Sequence, residues 1–436
     1  MPKTTRRNFL ASASAGVAAS TLFSTVGAQT VGANERVRIG VIGAGNQGKR
    51  HHLALSTLPD VKIAYVCDVD EKRLAEGVTR TGAKPVNDLR KILDDPTIDG
   101  VTIATPDHWH VPAALLALDA GKHVYVEKPC SYNFQEGQML VEAVKQRKKQ
   151  VFQHGTQARS SAGFKSAIQL LRDGIIGDVL IAKCWNWQKR DDIGHMKPSE
   201  APAGVNYNDW VGPAEWQPYQ ANRFHYDWHW WHNFGSGGMG NDGVHELDYA
   251  MWGLGVDSQP NSVSGTGGIY YFNDDREWAD TMQVSLEYPG EGDRKKMLIY
   301  EQRLWSTSYP YNVDAGAEYF GTKGKMFLSK RGKIDVFGED KKRIKIDIDG
   351  KSVKSEVAEN QQNWVDCIKS GETPNAPIDA AFRTAAAIHL GNISTQLGRT
   401  VRFDAKNESI IDDTEANSML ARQYRDEGHW SVPSMA

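Results

Sequence analysis

"VRIGVIGAGNQGKRHHLALSTLPDVKIAYVCDVD", Val37 to Asp70, decides the fold. Val37 to Ile42 is an apolar, β-branched run, Gly43, Gly45 and Gly48 then spell GxGxxG, a helix-like segment reaches about Leu58, and a second apolar run from Val61 ends at Asp68. Each part has a physical task. Gly43 turns the chain tightly, Gly45 lets backbone approach a pyrophosphate, and Gly48 lets the helix pack on the strand. The helix start, with Asn46 and Gln47, offers free amides and the positive end of a dipole. Strand, glycine turn, helix, strand and acid in this order make a dinucleotide site. Asp68 can accept from both hydroxyls of an adenosine ribose and would repel a 2'-phosphate, so NAD is expected over NADP; Arg73, further along, is the residue that could meet a phosphate.

The alternation continues. Asp88 to Leu93 reads as helix, Gly100 to Thr105 as strand, Val111 to Ala120 as helix, His123 to Val126 as strand, Phe134 to Arg147 as helix and Gln150 to His154 as strand. Strands and helices at this spacing imply right-handed βαβ units and a parallel sheet, with ligands beyond the carboxyl ends of the strands. Two segments fall there: "ATPDHWH", with Thr105, Pro106 and His110, and "VYVEKPCS", with Glu127, Lys128 and Pro129. Lys128 sits where an ammonium could stabilise a substrate oxygen that loses its proton as hydride leaves.

The 436 residues are enough for two domains, and a formal charge of -3 without blocks of like charge sets nucleic acid aside as a partner. Cys67, Cys130, Cys184 and Cys367 are scattered without CxxC spacing, which argues against a metal knuckle and a disulfide scaffold. Residues 1–33 differ in kind: Arg6 and Arg7, a weakly apolar Ala- and Ser-rich stretch, then small residues ending at Ala28. They read as a twin-arginine export signal, cleaved near Ala28 or Ala33, which leaves no stable membrane anchor and places the protein in the periplasm or otherwise outside the cytoplasm.

Past Gly155 the pattern changes. Arg159 to Arg172 reads as helix, and "VLIAKCWNWQ", "TMQVSLEY", "KKMLIYE", "GKMFLS" and "KIDVFG" read as short strands of an antiparallel sheet. "GSGGMGNDGVHELDYAMWGLG", Gly235 to Gly255, is glycine-rich and then helical, with His245 and Asp248 on one side. A helix spans Ala380 to Leu397 and a wrapping tail follows Asn407.

Together "GVIGAGNQG", "ATPDHWH", "EKP" and "GGMGNDGVHELD" resemble the glucose-fructose oxidoreductase, inositol dehydrogenase and rhizopine catabolism (Gfo/Idh/MocA) oxidoreductases. The resemblance implies an α/β chain: an N-terminal Rossmann domain with a parallel sheet, then an α+β domain on a large, mostly antiparallel open sheet through which copies pair as homo-oligomers. The divisions are 1–33 signal, 34–155 NAD-binding domain, 156–406 substrate and oligomerisation domain, its 380–397 helix packing back towards the first, and 407–436 tail. In the family pattern Asp-x-Gly-x-His the histidine takes the substrate's proton, which implies His245 as base beside Lys128. The pattern's aspartate falls on Asn241, and Asp242 stands one place later, so either could serve the substrate.

"RFHYDWHWWHN", Arg223 to Asn233, spaces His225, His229 and His232 by four and three. That spacing admits a metal site, which the absence of cysteine or an acidic cluster argues against, so none is assigned. The alternatives are aromatic stacking on a sugar ring, with Arg223, His225 and Trp228 as contacts, and packing under the sheet. "NWQKRDD" adds Trp187, and further Lys189 and Arg190, as pocket candidates. The expected function is an exported, NAD-dependent oxidoreductase acting on a hydroxyl carbon of a sugar or cyclitol. Its cofactor should be tightly held, because NAD is not replenished outside the cytoplasm. The rival is NAD-dependent glycoside cleavage through transient ring oxidation and elimination; a non-catalytic sugar-binding protein is disfavoured by the presence of both Lys128 and His245.

Overall fold

A computed structural model of the chain describes residues 36–348 and 353–433. The export signal expected at 1–33 lies outside the described residues. Six parallel strands form the first sheet, β1 (Val37–Ile42), β2 (Val61–Cys67), β3 (Lys84–Val86), β4 (Gly100–Ile103), β5 (His123–Val126) and β6 (Phe152–His154), in the order β3-β2-β1-β4-β5-β6. The order reverses at the β1/β4 pair, and this switch point lies directly below Gly43 and Thr105.

Boundaries differ from the sequence reading where side chains intervene. The helix expected from Asp88 starts at Arg90, because the Asp88 carboxylate accepts from the Arg90 amide at 2.9 Å in the turn before it. His110 joins the helix His110–Asp119, because a 3-10 turn at Asp107–Trp109 runs straight into it.

The second sheet has nine strands, in the order β13-β12-β11-β7-β10-β9-β8-β14-β15. Its ranges are β7 (Val179–Asn186), β8 (Ser262–Gly268), β9 (Thr281–Pro289), β10 (Lys295–Arg303), β11 (Ala315–Gly321), β12 (Gly324–Ser329), β13 (Lys333–Gly338), β14 (Val401–Asp404) and β15 (Ser409–Ile410). It is mostly antiparallel but mixed: the β8–β9–β10 meander brings β10 beside β7 in the same direction, with Tyr300 opposite Cys184. Met282, Val284, Leu286 and Tyr288 of β9 are buried and alternate with polar Gln283, Ser285 and Glu287, so one face is core. The helices Gly243–Leu254 and Ile378–Leu397 cover that face, and Tyr319 Oη donates to the Tyr249 carbonyl at 2.7 Å.

Later parts of the chain complete the first half. The helix Val357–Ser370 packs there, its Trp364 edge-on to Tyr125 with centroids 5.9 Å apart, and Gln153 Nε2 donates to the Asn360 carbonyl at 2.9 Å. Phe382, on the long helix, meets Phe134 at 5.1 Å. The tail returns as well: Arg422 pairs with buried Glu136 at 2.6 Å, and the Arg90 guanidinium lies 4.3 Å above the Trp430 ring. All four cysteines are free and buried. Among the described residues no helix is long and apolar enough to cross a membrane.

Candidate active site

A cavity of about 840 Å³ runs along the carboxyl ends of β1, β2, β4 and β5 and ends against the second half of the chain. At its nucleotide end Gly43 has φ +91°, and a Cβ there would stand 2.6 Å from the Ala104 carbonyl oxygen. A Cβ on Gly48 would overlap the Gly43 carbonyl, so Gly48 serves close packing and does not line the cavity. The helix Asn46–Ser56 has no side-chain cap and no acid in its first turn, which leaves its amides free for an anion. Asp68 is fixed by backbone: its Oδ2 accepts from Ala44 N at 2.7 Å and its Oδ1 from Asp70 N at 2.9 Å. A carboxylate has about four acceptor sites, so two remain for ribose hydroxyls. Arg73 covers Gly45, where a Cβ would come 2.5 Å from its Nη1. These features fit NAD.

At the β4 and β5 ends the two loops are tied together. His110 places Nδ1 2.6 Å from the Pro129 carbonyl and Nε2 3.0 Å from that of Thr105. Glu127 Oε1 accepts from Gln47 Nε2 at 2.8 Å and lies 2.9 Å from His51 Nε2. Burial works to raise Glu127, but the His51 contact, the Lys128 charge and the Gln47 bond together hold it down at about 2. Gln47 and Glu127 therefore brace the glycine-loop helix against the strand that carries Lys128. Thr105 and Pro106 line the cavity beside them.

The other end is built from both halves. Lys128, which precedes a cis peptide to Pro129, donates from Nζ to the Asn241 carbonyl and, at 3.2 Å, to Asn241 Oδ1. Burial lowers its pKa, and the charges of Glu127 and Asp107 resist. Asn241 ends the short helix Gly237–Asn241, and His245 lies in the first turn of the helix Gly243–Leu254, which follows at once. The His245 ring lines the cavity and its pKa is pushed well below 6.5, first by burial and then by the charges of Lys330 and Lys128. It is therefore the neutral, proton-accepting form at neutral pH. Asn241 takes the place beside Lys128, while Asp242 pairs with Arg190, whose Nη1 donates to Tyr226 Oη at 2.9 Å.

Several expectations fail here. Trp187 does not line the cavity: it is buried with Trp185, Val313 and Phe327, because the strand end folds under Arg303, 4.1 Å above its ring. Arg223 stacks on Trp231 at 4.2 Å and donates to the Pro218 carbonyl, away from the cavity. Asp248 is also turned away; buried, it accepts from Arg159 Nε at 2.8 Å and from Thr384 Oγ1 at 3.2 Å. The histidines are dispersed, because the 3-10 segment His225–Trp230 ends in extended backbone at Trp231 before His232: His225 reaches Asp70 at 2.7 Å, His229 packs under Tyr226 and Trp228, and His232 faces Glu277. His225 and Trp228 do line the cavity.

Lys330, Arg331, Gln188 and Tyr226 also line it, and no motif in the sequence marks them. "SKRGK", residues 329–333, is the turn between β12 and β13 and reads as an ordinary solvated hairpin. Only the pairing of β11 with β7 carries that turn to the cavity, and no local signal marks it.

Comparison with known proteins agrees with this geometry. The family described as an oxidoreductase family with an NAD-binding Rossmann fold matches residues 37–154, and its C-terminal alpha/beta domain matches 175–266 and 311–432. Levoglucosan dehydrogenase of Pseudarthrobacter phenanthrenivorans is 27% identical over 246 residues, 53% of this chain and 55% of that one. The scyllo-inositol 2-dehydrogenase (NAD(+)) of Bacillus subtilis is 26% identical over 382 residues, 85% of this chain and 97% of that one. A glycosyl hydrolase family 109 protein of Saccharopolyspora erythraea is 33% identical over 158 residues, 34% of each chain. The chain thus matches from a third to nearly all of these relatives' lengths. Among solved structures, levoglucosan dehydrogenase in complex with NADH superposes with a TM-score of 0.66 at 19% identity, over 84% of this chain and 99% of that one. At that identity the likeness shows the fold. Through both of its halves, the chain belongs to the Gfo/Idh/MocA family of oxidoreductases.

Proposed function

We propose that this chain transfers hydride to or from a hydroxyl-bearing carbon of a sugar or cyclitol. The observation that carries the reading is the meeting of Lys128 and His245, from opposite halves of the chain, at one end of the cavity. NAD, when bound, supplies the hydride acceptor. Neutral His245 takes the hydroxyl proton. Of the three N–H groups of Lys128 two are aimed at Asn241, which leaves one for the substrate oxygen as it gains charge. Gln47, Glu127 and His110 hold Lys128 in place, and the relatives named as inositol and levoglucosan dehydrogenases support the substrate class.

The cofactor is held tightly in this reading. The segment after β7 crosses the nucleotide end: Asn206 N donates to the Val69 carbonyl at 2.9 Å, and Asp70 bridges Val205 and contacts His225. Trp210 and the tail's Trp430 line the same end. Such a roof would slow cofactor exchange, which suits an enzyme exported by the twin-arginine route. Copies would pair through the uncovered face of the nine-stranded sheet, where Met297 is exposed beside half-buried Ile181 and Ile299.

The test is to purify the protein without added cofactor, denature it and identify released nucleotide by mass spectrometry, then to follow NADH absorbance with sugars and cyclitols. Stoichiometric NAD or NADH together with a sugar-dependent change is expected. An enzyme that binds NAD yet changes no absorbance with any polyol would overturn the hydride reading, unless glycosides are cleaved without net NADH. That second reading draws support from the glycosyl hydrolase relative, over about a third of the chain alone.

A further inference from the structure

The substrate end of the cavity is lined by four cationic side chains, Lys128, Arg190, Lys330 and Arg331. The carboxylates that balance two of them stand behind the wall. Lys330 Nζ lies 2.9 Å from Glu246, which is fully buried and does not line the cavity. Arg331 spends Nε and Nη2 on Asp314, at 2.8 and 2.9 Å, and Asp314 does not line it either. An ammonium has three N–H groups and a guanidinium five, so donors remain on the cavity side of both. Arg190 is differently placed, since Asp242 pairs with it inside the cavity. Asp107, near Lys128, turns Oδ2 to Ser236 N and Oγ at 3.1 and 2.6 Å. Where the family pattern has an aspartate beside the lysine, this chain has neutral Asn241.

Glu246 and Asp314 offset the cost of bringing the two cations to the reaction site, yet leave donors over on each, and a hairpin turn could have carried neutral residues here. A carboxylate in place of Asn241 would repel a substrate anion; asparagine does not. We infer that the substrate is a sugar acid, a hexuronate or a glycoside of one, whose carboxylate is received by Lys330 and Arg331 while the neighbouring hydroxyl faces His245. The planar guanidinium favours a carboxylate over a point-like neutral group. The orientation follows from the lining: Lys330 and Arg331 line the same cavity as His245, and the Lys330 charge is felt at the His245 ring. This inference rests on the hydride-transfer reading for the role of His245, but not for the anion contact itself.

The experiment uses the full chain saturated with NAD. Calorimetry compares D-glucuronate with D-glucose and D-galacturonate with D-galactose, with glucose 6-sulfate as a further arm, and NADH absorbance is followed in parallel. At least one hexuronate should bind about tenfold or more tightly than its neutral partner, the difference of about 1.4 kcal/mol expected of one partly exposed charged contact, and the gain should shrink as salt is raised. Arg331→Gln and Asn241→Asp should each reduce that preference severalfold; the second adds a charge without removing a cation, so it does not depend on the Lys330–Glu246 pair. Equal affinity for each acid and its neutral partner, or a preference unmoved in both variants, overturns the inference. Equally tight binding of the sulfate overturns the assignment to a carboxylate. Preferred binding of hexuronates with no change in NADH and no cleavage of their glycosides overturns the hydride reading and leaves the anion site standing; turnover of neutral sugars without acid preference does the reverse.

Discussion

The two ends of one cavity are built by different means. At the nucleotide end the constraints are backbone constraints: Gly43 at φ +91°, Gly48 against the Gly43 carbonyl, Asp68 bonded to two amides, all within 34 residues of chain. At the substrate end they are side-chain constraints: Lys128, Arg190, Asn241 with His245, and Lys330 come from four separate segments. Local backbone geometry permits few residue types, so it is written into sequence. A convergence of side chains permits many, and it is written only into the fold.

The largest effect expected across this contrast is on turnover. Lys128→Ala and His245→Ala should each lower kcat by about a hundredfold to ten-thousandfold, the usual span for a lost proton-transfer or oxygen-stabilising group. Circular dichroism and NADH binding should be retained, which separates chemistry from folding. Near-normal kcat in either variant would move the chemistry away from the substrate end as drawn here.

The junction between the halves should respond to acid. His108, His154 and His389 are buried, and burial drives each down to about 3. The unfolded chain holds these imidazoles near 6.5, so below that pH it binds protons that the folded chain refuses. Stability is full above pH 6.5 and falls as pH drops towards 3, by about 1.4 kcal/mol per pH unit for each histidine. Thermal melts between pH 7 and 5 should show Tm falling steeply. A flat profile would mean that the three imidazoles are not neutral in the fold.

At the nucleotide end Asp68→Ala should weaken NAD binding about tenfold to a hundredfold, since one half-buried charged acceptor and its ribose contacts are worth about 1–3 kcal/mol. NADH fluorescence titration reads it directly. Unchanged affinity would put the ribose elsewhere, with Arg73 over Gly45 as the next residue to test.

How far the sequence reaches follows from the same contrast. The parallel sheet, the glycine loop, Asp68 and the Lys128 corner were all legible, because each is a short motif at a strand end whose place follows from the βαβ rule. The second sheet was legible as strands but not as topology. Nothing local says that β10 runs parallel to β7, since that depends on where a three-strand meander lands. Lys330 and Arg331 were invisible for the same reason: a Lys-Arg pair in a hairpin is ordinary until β11 pairs with β7 and swings the turn beside His245. Asp248 misled for the opposite reason. Three residues from His245 on a helix, it shares a side with it by spacing, yet Arg159 from another helix-entry turn draws it into the core.

Arg223 gives the smallest expected effect and the sharpest test of the aromatic stretch. A composition rich in tryptophan and histidine suggests a sugar platform, but aromatic residues serve cores as well as they serve ligands. Here Phe224, Trp230 and Trp231 are buried together with Trp210 and Phe234, and Arg223 lies over Trp231 outside the cavity. Arg223→Ala should therefore leave kcat and KM within about twofold and cost under about 1 kcal/mol of stability, the scale of one partly exposed cation–π contact. Trp228→Ala, by contrast, removes a side chain that lines the cavity and should raise KM. If both variants raise KM alike, the segment acts as one platform and the substrate end extends beyond the cavity drawn here. If only Trp228→Ala does, the stretch is core with one residue turned to the substrate, and its composition reflects packing more than recognition.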